Sequence, residues 1–572
     1  MEKLRMPSDL DRELAASIAR ITAPGSPFET GFVERGGVRL PAFVRAPETL
    51  PAFFEHYCDR HGDAEFLVDG DLRLSFAQAH ALARRVAAGL ITRHGVRRGD
   101  RVGLAARNSA NWIIAYMGVL MAGGCVTLLN GWWTGPELAE GVAIAGCTLV
   151  LADPARAARL DRVPLAARIV PFDHGAPEPG LARLLGGAND HWRLPPLTGD
   201  DFARIGFTSG STGTAKGAVS DHRAVVQATM NFAVQALATL DLHARYGTTA
   251  PPPQAALIGV PLFHVTGEIA LFLQSFVIGR RLVVMPRWDA LAAMRLIARE
   301  RITFFAGVPL MSIEIATHPA RRRYDLSSCA SFAAGGAFRP TEHVARLQAA
   351  LPHASLVMGY GLTETNCTGC CNIADNYLAK PGSTGPASPP LVEITVVGPD
   401  GAPLPPGLRG EIAVRSIANF RGYWGNPAET AAALRDDGFF LTGDLGYLDK
   451  AGYLFVVDRK KDIIVRGGEN IASAEVEAAI YAHPDIAEAS VFGLPHDHYG
   501  EVPVAVYAIK DGHRLSEEEL RRHLADRIAA FKVPVRLWRE DRALPRLGSE
   551  KIDKRTLKAR YSQAWEAAKG VP

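Results

Sequence analysis

The sequence predicts an α/β protein with largely parallel sheets, and three observations carry that expectation. Short apolar runs alternate with helix-length patterns over several hundred residues, the order that places helices between parallel strands. At 572 residues the chain exceeds what one hydrophobic core usually supports, so two or more domains are expected. The texture also changes along the chain. From about residue 391 short β-rich runs alternate with Gly and Pro turns, and a charged patch, Asp458-Arg459-Lys460-Lys461-Asp462, marks a second change.

Taken in order, residues 1–45 read as an N-terminal extension: a short charged helical stretch, then irregular sequence with Gly25, Pro27, Gly31, Gly36 and Gly37. Residues 76–91 form a helix candidate and 101–105 a buried strand. The stretch 112–129 is almost wholly apolar and could be taken for a membrane span. Gly123-Gly124 breaks it, however, and 125–129 reads as a short strand, so the segment is a core helix running into a strand and no transmembrane segment is expected. Residues 147–152, 257–262 and 281–285 are further strands, and Ala250-Pro251-Pro252-Pro253 an exposed loop. A large domain is therefore expected over 46–460, with a small antiparallel or barrel-like subdomain from about 391 whose strands include 393–397 and 411–414. A compact α+β domain follows over 461–572, with helices at 474–482 and 516–530 and strands at 487–491 and 502–509.

Composition narrows the function classes. The chain is 48% hydrophobic and 22% charged, within the globular range. Its 63 Lys plus Arg balance 60 Asp plus Glu, a net charge of +3, which excludes a nucleic-acid or polyanion partner and leaves any anion to a local site. Seven cysteines, odd in number and sparse, fit free thiols in a reducing compartment. Residues 1–20 mix charges of both signs without an apolar run, so no secretory signal is expected and a cytoplasmic location follows.

The strongest chemical signal is Thr208-Ser209-Gly210-Ser211-Thr212-Gly213-Thr214-Ala215-Lys216-Gly217. Glycines let backbone approach a ligand, successive N–H groups form an anion nest, and hydroxyls with a lysine suit phosphate oxygens. The P-loop of nucleotide triphosphatases fails on spacing, because Ala215 precedes the lysine and Gly217 follows it. A second constellation is Gly359-Tyr360-Gly361-Leu362-Thr363-Glu364-Thr365, in which a glycine-flanked aromatic can lie on a purine and a carboxylate beside hydroxyls suits Mg²⁺. In Thr442-Gly443-Asp444-Leu445-Gly446 a carboxylate on a tight turn can accept both ribose hydroxyls. Cys367, Cys370 and Cys371 lack a nearby His or Cys cluster at ligand spacing, and a zinc site is rejected.

These motifs, in this order across 208–557, resemble the adenylate-forming superfamily of acyl-CoA synthetases, luciferases and peptide-synthetase adenylation domains. The phosphate loop departs from the family only at Ala215, where proline is usual. The resemblance implies ATP, coenzyme A and a small carboxylic acid as reactants and Mg²⁺ as cofactor. It assigns Thr208, Ser209, Gly210, Ser211, Thr212, Gly213 and Lys216 to the phosphates, with Tyr360 and Gly361 at adenine and Thr363 at the α-phosphate. Gly335, Gly336 and Ala337 line adenine and the acyl group, Asp444 and Arg459 hold the ribose, and Glu364 with Thr208 holds the metal. Lys551, within Pro545–Lys554, meets the carboxylate and α-phosphate; here Glu550 precedes it where the family has glycine. Gly467 and Gly468 border the pantetheine tunnel, and Lys461 is the hinge of a mobile C-terminal domain.

Family logic also bears on the acid. In amino-acid-activating relatives an aspartate binds the ammonium group; in Pro261-Leu262-Phe263-His264-Val265-Thr266-Gly267 His264 stands at that place. Burying an ammonium without an anion is costly, so an apolar fatty, branched or aromatic acid is expected, with His264, Val265, Gly335 and Gly359 at the acyl pocket. The expected reaction is acid plus ATP to acyl-AMP and pyrophosphate, then acyl-CoA and AMP. Two alternatives stay open: delivery to a carrier-protein phosphopantetheine, and a non-catalytic nucleotide- or acyl-binding regulator. A homodimer is also left open.

Overall fold

The structure is a computed structural model that describes residues 7–187, 193, 195–209, 215–245, 253–337, 339–548 and 550–569. Two sheets dominate the first two-thirds of the chain. The seven-stranded sheet runs in the order Gly422–Tyr423, Ala215–Asp221, Phe202–Ser209, Cys125–Leu128, Arg101–Ala105, Leu149–Ala152 and Arg168–Pro171. It is parallel from Phe202–Ser209 to Arg168–Pro171 and antiparallel at its other end. The eight-stranded sheet carries six successive parallel strands, Ser355–Gly361, Ser331–Gly335, Phe304–Gly307, Ala255–Ile258, Arg281–Val284 and Glu65–Asp69. Helices cover the parallel strands, as right-handed crossovers require.

The apolar stretch near residue 112 is resolved as expected. Ala110–Met121 is a helix whose every residue is buried, capped by Ser109 Oγ accepting from Trp112 N at 3.1 Å, and Cys125–Leu128 is the central strand that follows. Apolar on all sides, this helix can only be a core element, and among the described residues no helix is long and apolar enough to cross a membrane.

Two local readings are corrected. Residues 30–43 are not irregular: Thr30–Arg35 and Val38–Phe43 form an antiparallel hairpin turned by Gly36 and Gly37, both at positive φ. Such a two-residue Gly-Gly turn matches strand twist. The strand expected over 257–262 is Ala255–Ile258, because Val260 and Leu262 leave the sheet to pack against Asn108, whose side chain donates to Val260 O and accepts from Leu262 N, each at 2.8 Å. Residues 250–252 of the proline-rich loop lie outside the described residues; Pro253 is exposed.

The third sheet is four-stranded and antiparallel: Glu393–Val397, Gly410–Arg415, Phe439–Leu448 and Leu454–Arg459. A turn at 460–462 leads to the last sheet, in which Ile464–Arg466, Glu469–Ile471, Gly500–Ile509 and Ile486–His496 are joined by Arg536–Glu540. The last part of the chain has its own cores around Val491 and Leu494. The strand Arg536–Glu540 and the helix Lys554–Lys569 had not been anticipated. A helix cap crosses the 460–462 turn. Asp458, on the third sheet, accepts from the backbone N–H groups of Ser473 and Ala474 and so caps the helix Ser473–Tyr481, whose own N-cap position, Ala472, has no side-chain oxygen. Removing a cap of this kind costs about 1 kcal/mol. Asp458→Ala is therefore expected to speed backbone hydrogen exchange at residues 473–476 about fivefold, measured by mass spectrometry, while exchange in the central parallel strands stays unchanged.

Candidate active site

The carboxyl ends of strands from both parallel sheets face one cleft, the usual ligand position in open α/β sheets. Residues following four strands, among them Arg107, Trp132, Pro261 and Trp288, line a small pocket that Gly548 and Glu550 of the C-terminal loop border. Gly548 is needed for this approach, since a Cβ there would lie 2.0 Å from Trp132 Cδ1.

The loop itself is held at several points. Leu547 N donates to Lys551 O at 2.7 Å and Glu550 N to Leu547 O at 2.9 Å. Arg546 pairs with Glu488 at 2.6 Å and with Glu314 of the large domain at 3.0 Å; Glu314 also accepts from Trp288 Nε1 at 2.6 Å. Glu550 adopts φ +63°, the left-handed region that explains why glycine suits this place. Its carboxylate lies 3.4 Å from Arg546 Nη1, so the substituted residue turns away from Lys551 and joins the Arg546 network.

Lys551 is thereby delivered beside Gly336, where an added Cβ would lie 3.2 Å from Nζ. Gly336 itself has φ +74°, and Gly335 pairs with Gly359 across adjacent strands. Burial, reinforced by the Arg459 charge, pushes the Lys551 ammonium down to about 8, with Asp444 and Cys367 opposing. His264, held at the start of the short helical turn Val265–Gly267, is pushed down to about 3 by burial and by Lys551, so its imidazole is neutral at physiological pH. Cys367 also senses Lys551 and hydrogen bonds Thr266. A Cβ at Gly361 would fall 2.1 Å from Cys367 O, which is why the turn after Tyr360 needs glycine.

Asp444 and Arg459 are 15 positions apart yet directly opposite in the hairpin of Phe439–Leu448 and Leu454–Arg459. Arg459 Nε lies 3.3 Å from Asp444 Oδ1, and the Tyr360 hydroxyl donates to Asp444 Oδ2 at 2.8 Å. Asp444 is buried and its carboxyl is raised by that burial despite Arg459. Tyr360, Asp444, Arg459, Gly336 and Lys551 thus surround one space.

Glu364 sits beside it on the 3₁₀ turn Thr363–Thr365, buried and raised by burial, accepting from the Tyr423 hydroxyl at 2.9 Å. Thr208 lies opposite Lys216 in the antiparallel pair that flanks the phosphate loop. Lys216 pairs with Glu429 at 2.5 Å and lies over the Tyr423 ring at 5.1 Å. Gly210, Ser211, Thr212 and Gly213 lie outside the described residues, as does the Ser209 side chain. Ala337 and Val265 flank the cleft segments, whereas Gly467 and Gly468 are not brought to Lys551: both are exposed on a hairpin where a side chain at Gly467 would meet only Tyr499. Sequence reasoning missed Tyr423 and Glu429. Their motif, Gly422-Tyr423-Trp424-Gly425-Asn426-Pro427-Ala428-Glu429, joins the site only because Gly422–Tyr423 pairs with Ala215–Asp221.

Comparison with known proteins turns on this arrangement. The model of the AMP-binding enzyme family matches residues 54–424, and that of the AMP-binding enzyme C-terminal domain matches 475–551. The chain belongs to the AMP-binding enzyme family. As a member of that family it is similar to a feruloyl-CoA synthase of an Amycolatopsis species, 34% identical over 86% of this chain and 95% of that one. It is also similar to the long-chain-fatty-acid–CoA ligase FadD13 of Mycobacterium tuberculosis, 32% identical over 86% and 94%. The structure of ATP-bound MatB from Rhodopseudomonas palustris superposes with a TM-score of 0.78 at 28% identity, covering 90% of this chain and 99% of that one. This AMP-binding enzyme is an ATP-dependent acid–CoA ligase of the AMP-forming kind, acting on a carboxylic acid, ATP and CoA.

A lysine lowered to about 8 carries its charge below that pH and loses it above. The kcat/KM for ATP in pyrophosphate exchange, which reports the free enzyme, is therefore expected to fall about tenfold per pH unit above pH 8. Lys551→Arg, which cannot deprotonate, is expected to abolish that fall; persistence of the fall in the arginine variant would assign it to another group.

Proposed function

We propose that the enzyme activates an apolar fatty or aromatic acid in the space around Lys551, then transfers the acyl group to CoA after its C-terminal domain turns about Lys461. The observation that carries this reading is the convergence of Tyr360, Asp444, Arg459 and Lys551, from four separated segments, on one another.

The chemistry follows from charge. A carboxylate is a poor acyl donor because oxide would have to leave; attack of its oxygen on the α-phosphorus, with cleavage of the bond to pyrophosphate, supplies AMP as a better leaving group. Such phosphoryl transfer depends on position and electrostatic stabilisation. Tyr360 and Gly361 bound adenine, Asp444 and Arg459 take the ribose, and Gly335, Gly336 and Ala337 present backbone to adenine and the acyl group. Thr363 and Lys551 face the α-phosphate, with Lys551 also pairing the acid's carboxylate. Lys216 and the loop from Thr208 through Ser209, Gly210, Ser211, Thr212 and Gly213 take the β- and γ-phosphates. Glu364 and Thr208 would hold Mg²⁺. One buried carboxylate and one hydroxyl suit an ion that keeps water and phosphate oxygens as its other ligands; when bound it neutralises charge on the departing pyrophosphate.

An apolar acid is supported by the acyl side of the cleft. Neutral His264, Thr266 and Cys367 stand there, and Glu268, the carboxylate on the segment that follows, is fully buried against Arg204 and Tyr116. No anion among these is left for an ammonium group. Val265 and Gly359 complete the pocket wall. Because Gly467 and Gly468 contact only their own domain here, CoA transfer requires them to move to the cleft, and the turn at 460–462 between the third and last sheets is where backbone rotation is least opposed. The domains accordingly divide at 460/461.

Pyrophosphate release with a panel of fatty and cinnamic-type acids, with and without CoA, tests the reading. Release with apolar acids and thioester formed only with CoA is expected, while release with amino acids alone would refute the substrate class. Lys461→Pro is expected to keep acyl-AMP formation within about threefold and to slow thioester formation about 100-fold or more. Equal loss in both half-reactions would place the hinge elsewhere.

A further inference from the structure

Beneath the nucleotide cleft a single guanidinium touches three of the segments that build it. Arg204 lies on the strand Phe202–Ser209, on the same face as Gly206 and Thr208 because side chains alternate along a strand. It is fully buried. Nη1 lies 3.0 Å from Glu268 Oε2, and both side chains are at 0% exposure. Nε and Nη2 donate to Asn366 Oδ1 at 3.1 and 2.9 Å, and Nη2 reaches the carbonyl of Thr363 at 3.3 Å.

Each partner is itself anchored. Glu268 opens the π-helical turn Glu268–Leu273 directly after the acyl-pocket segment, and its other oxygen accepts from the Tyr116 hydroxyl at 2.7 Å. Asn366, at φ +48°, closes the turn that bears Thr363 and Glu364, and its amide donates to Ser220 Oγ at 3.0 Å and Ala418 O at 2.8 Å. Gly206 leaves the guanidinium its path, since a Cβ there would lie 2.6 Å from Arg204 Nη1 and 3.0 Å from Thr363 Cγ2.

We propose that Arg204 is a positioning residue for the adenylation half-reaction, holding the Thr363–Glu364 turn in register with Thr208 and with the acyl-pocket segment through the bridge Glu268–Arg204–Asn366. The proposal rests on the roles given above to Thr363 and Glu364. A planar guanidinium can fix the directions of several acceptors at once, which an ammonium cannot. A buried ion pair adds little stability over an apolar replacement, so the value of this one lies in geometry, where a displacement of about 1 Å costs up to 100-fold in rate. Thioester formation releases AMP rather than pyrophosphate and does not need the turn to hold a metal. The constraint therefore acts on the first half-reaction.

Arg204→Met alone would strand the buried Glu268 carboxylate and risks unfolding. The paired variant Arg204→Met/Glu268→Gln is neutral and keeps an acceptor for Tyr116. Single-turnover formation of acyl-AMP and, separately, transfer from supplied acyl-AMP to CoA are to be measured over a range of Mg²⁺ concentrations. The paired variant is expected to melt near the wild-type temperature, to lose about 30-fold in adenylation, to need more Mg²⁺, and to keep transfer within about threefold. Arg204→Lys is expected to lose about tenfold in adenylation. Equal loss in both half-reactions, no loss in the paired variant, or full adenylation in Arg204→Lys overturns the proposal. Glu364→Gln separates it from the reading beneath it. Full adenylation in that variant refutes the role of Glu364 and with it the route through the turn. Loss there, with none in the paired variant, refutes Arg204 alone.

Discussion

The site depends on one constraint: a lysine from the C-terminal domain is carried out of water and set among charges of the large domain. Desolvation opposes the ammonium and pushes it down to about 8, with Arg459 adding to the cost and Asp444 reducing it. That ammonium is therefore poorly satisfied by the protein's own groups and gains most when an anion arrives. In the proposed reaction nucleotide and acid would supply that anion, so that binding and charge stabilisation would use the same interaction. The Arg546–Glu314 pair, the close packing of Gly548 on Trp132 and the left-handed Glu550 are what hold the lysine there.

The rest of the cleft is arranged to make that charge useful. Parallel strands of two sheets end at a common edge, so their loops face one another without long connections. Strand pairing does the finer placement. Thr208 stands opposite Lys216, Asp444 opposite Arg459, and Gly335 beside Gly359. Each pair fixes a group of the cleft by backbone register, which costs no side-chain entropy to maintain.

Much of the fold could be read from pattern. The buried helix Ala110–Met121 and its strand were legible because a Gly-Gly break divides an apolar run otherwise long enough for a span. The hairpin at Thr30–Phe43 was legible too, in Gly36-Gly37, but the flanking glycines and proline masked the alternation. Arg204 left a trace: a lone charge inside the otherwise apolar run Phe202-Ala203-Arg204-Ile205-Gly206-Phe207, with glycine two positions on where its guanidinium passes. Tyr423 and Glu429 left none, since a two-residue strand has no periodicity to recognise.

By itself the sequence determined the α/β class, the change of texture near residue 391, and a set of phosphate-, ribose- and metal-suited motifs whose spacing excludes a P-loop. These are local matters: period, turn residues, and which side chains carry donors or carboxylates. Tertiary structure alone decided that Tyr360 bonds Asp444, that Glu268 is neutralised by Arg204 rather than offered to substrate, and that Glu550 turns from Lys551 toward Arg546. Those outcomes depend on which groups meet where water is excluded, and both the distance between charges and their desolvation are set by packing, not by order along the chain.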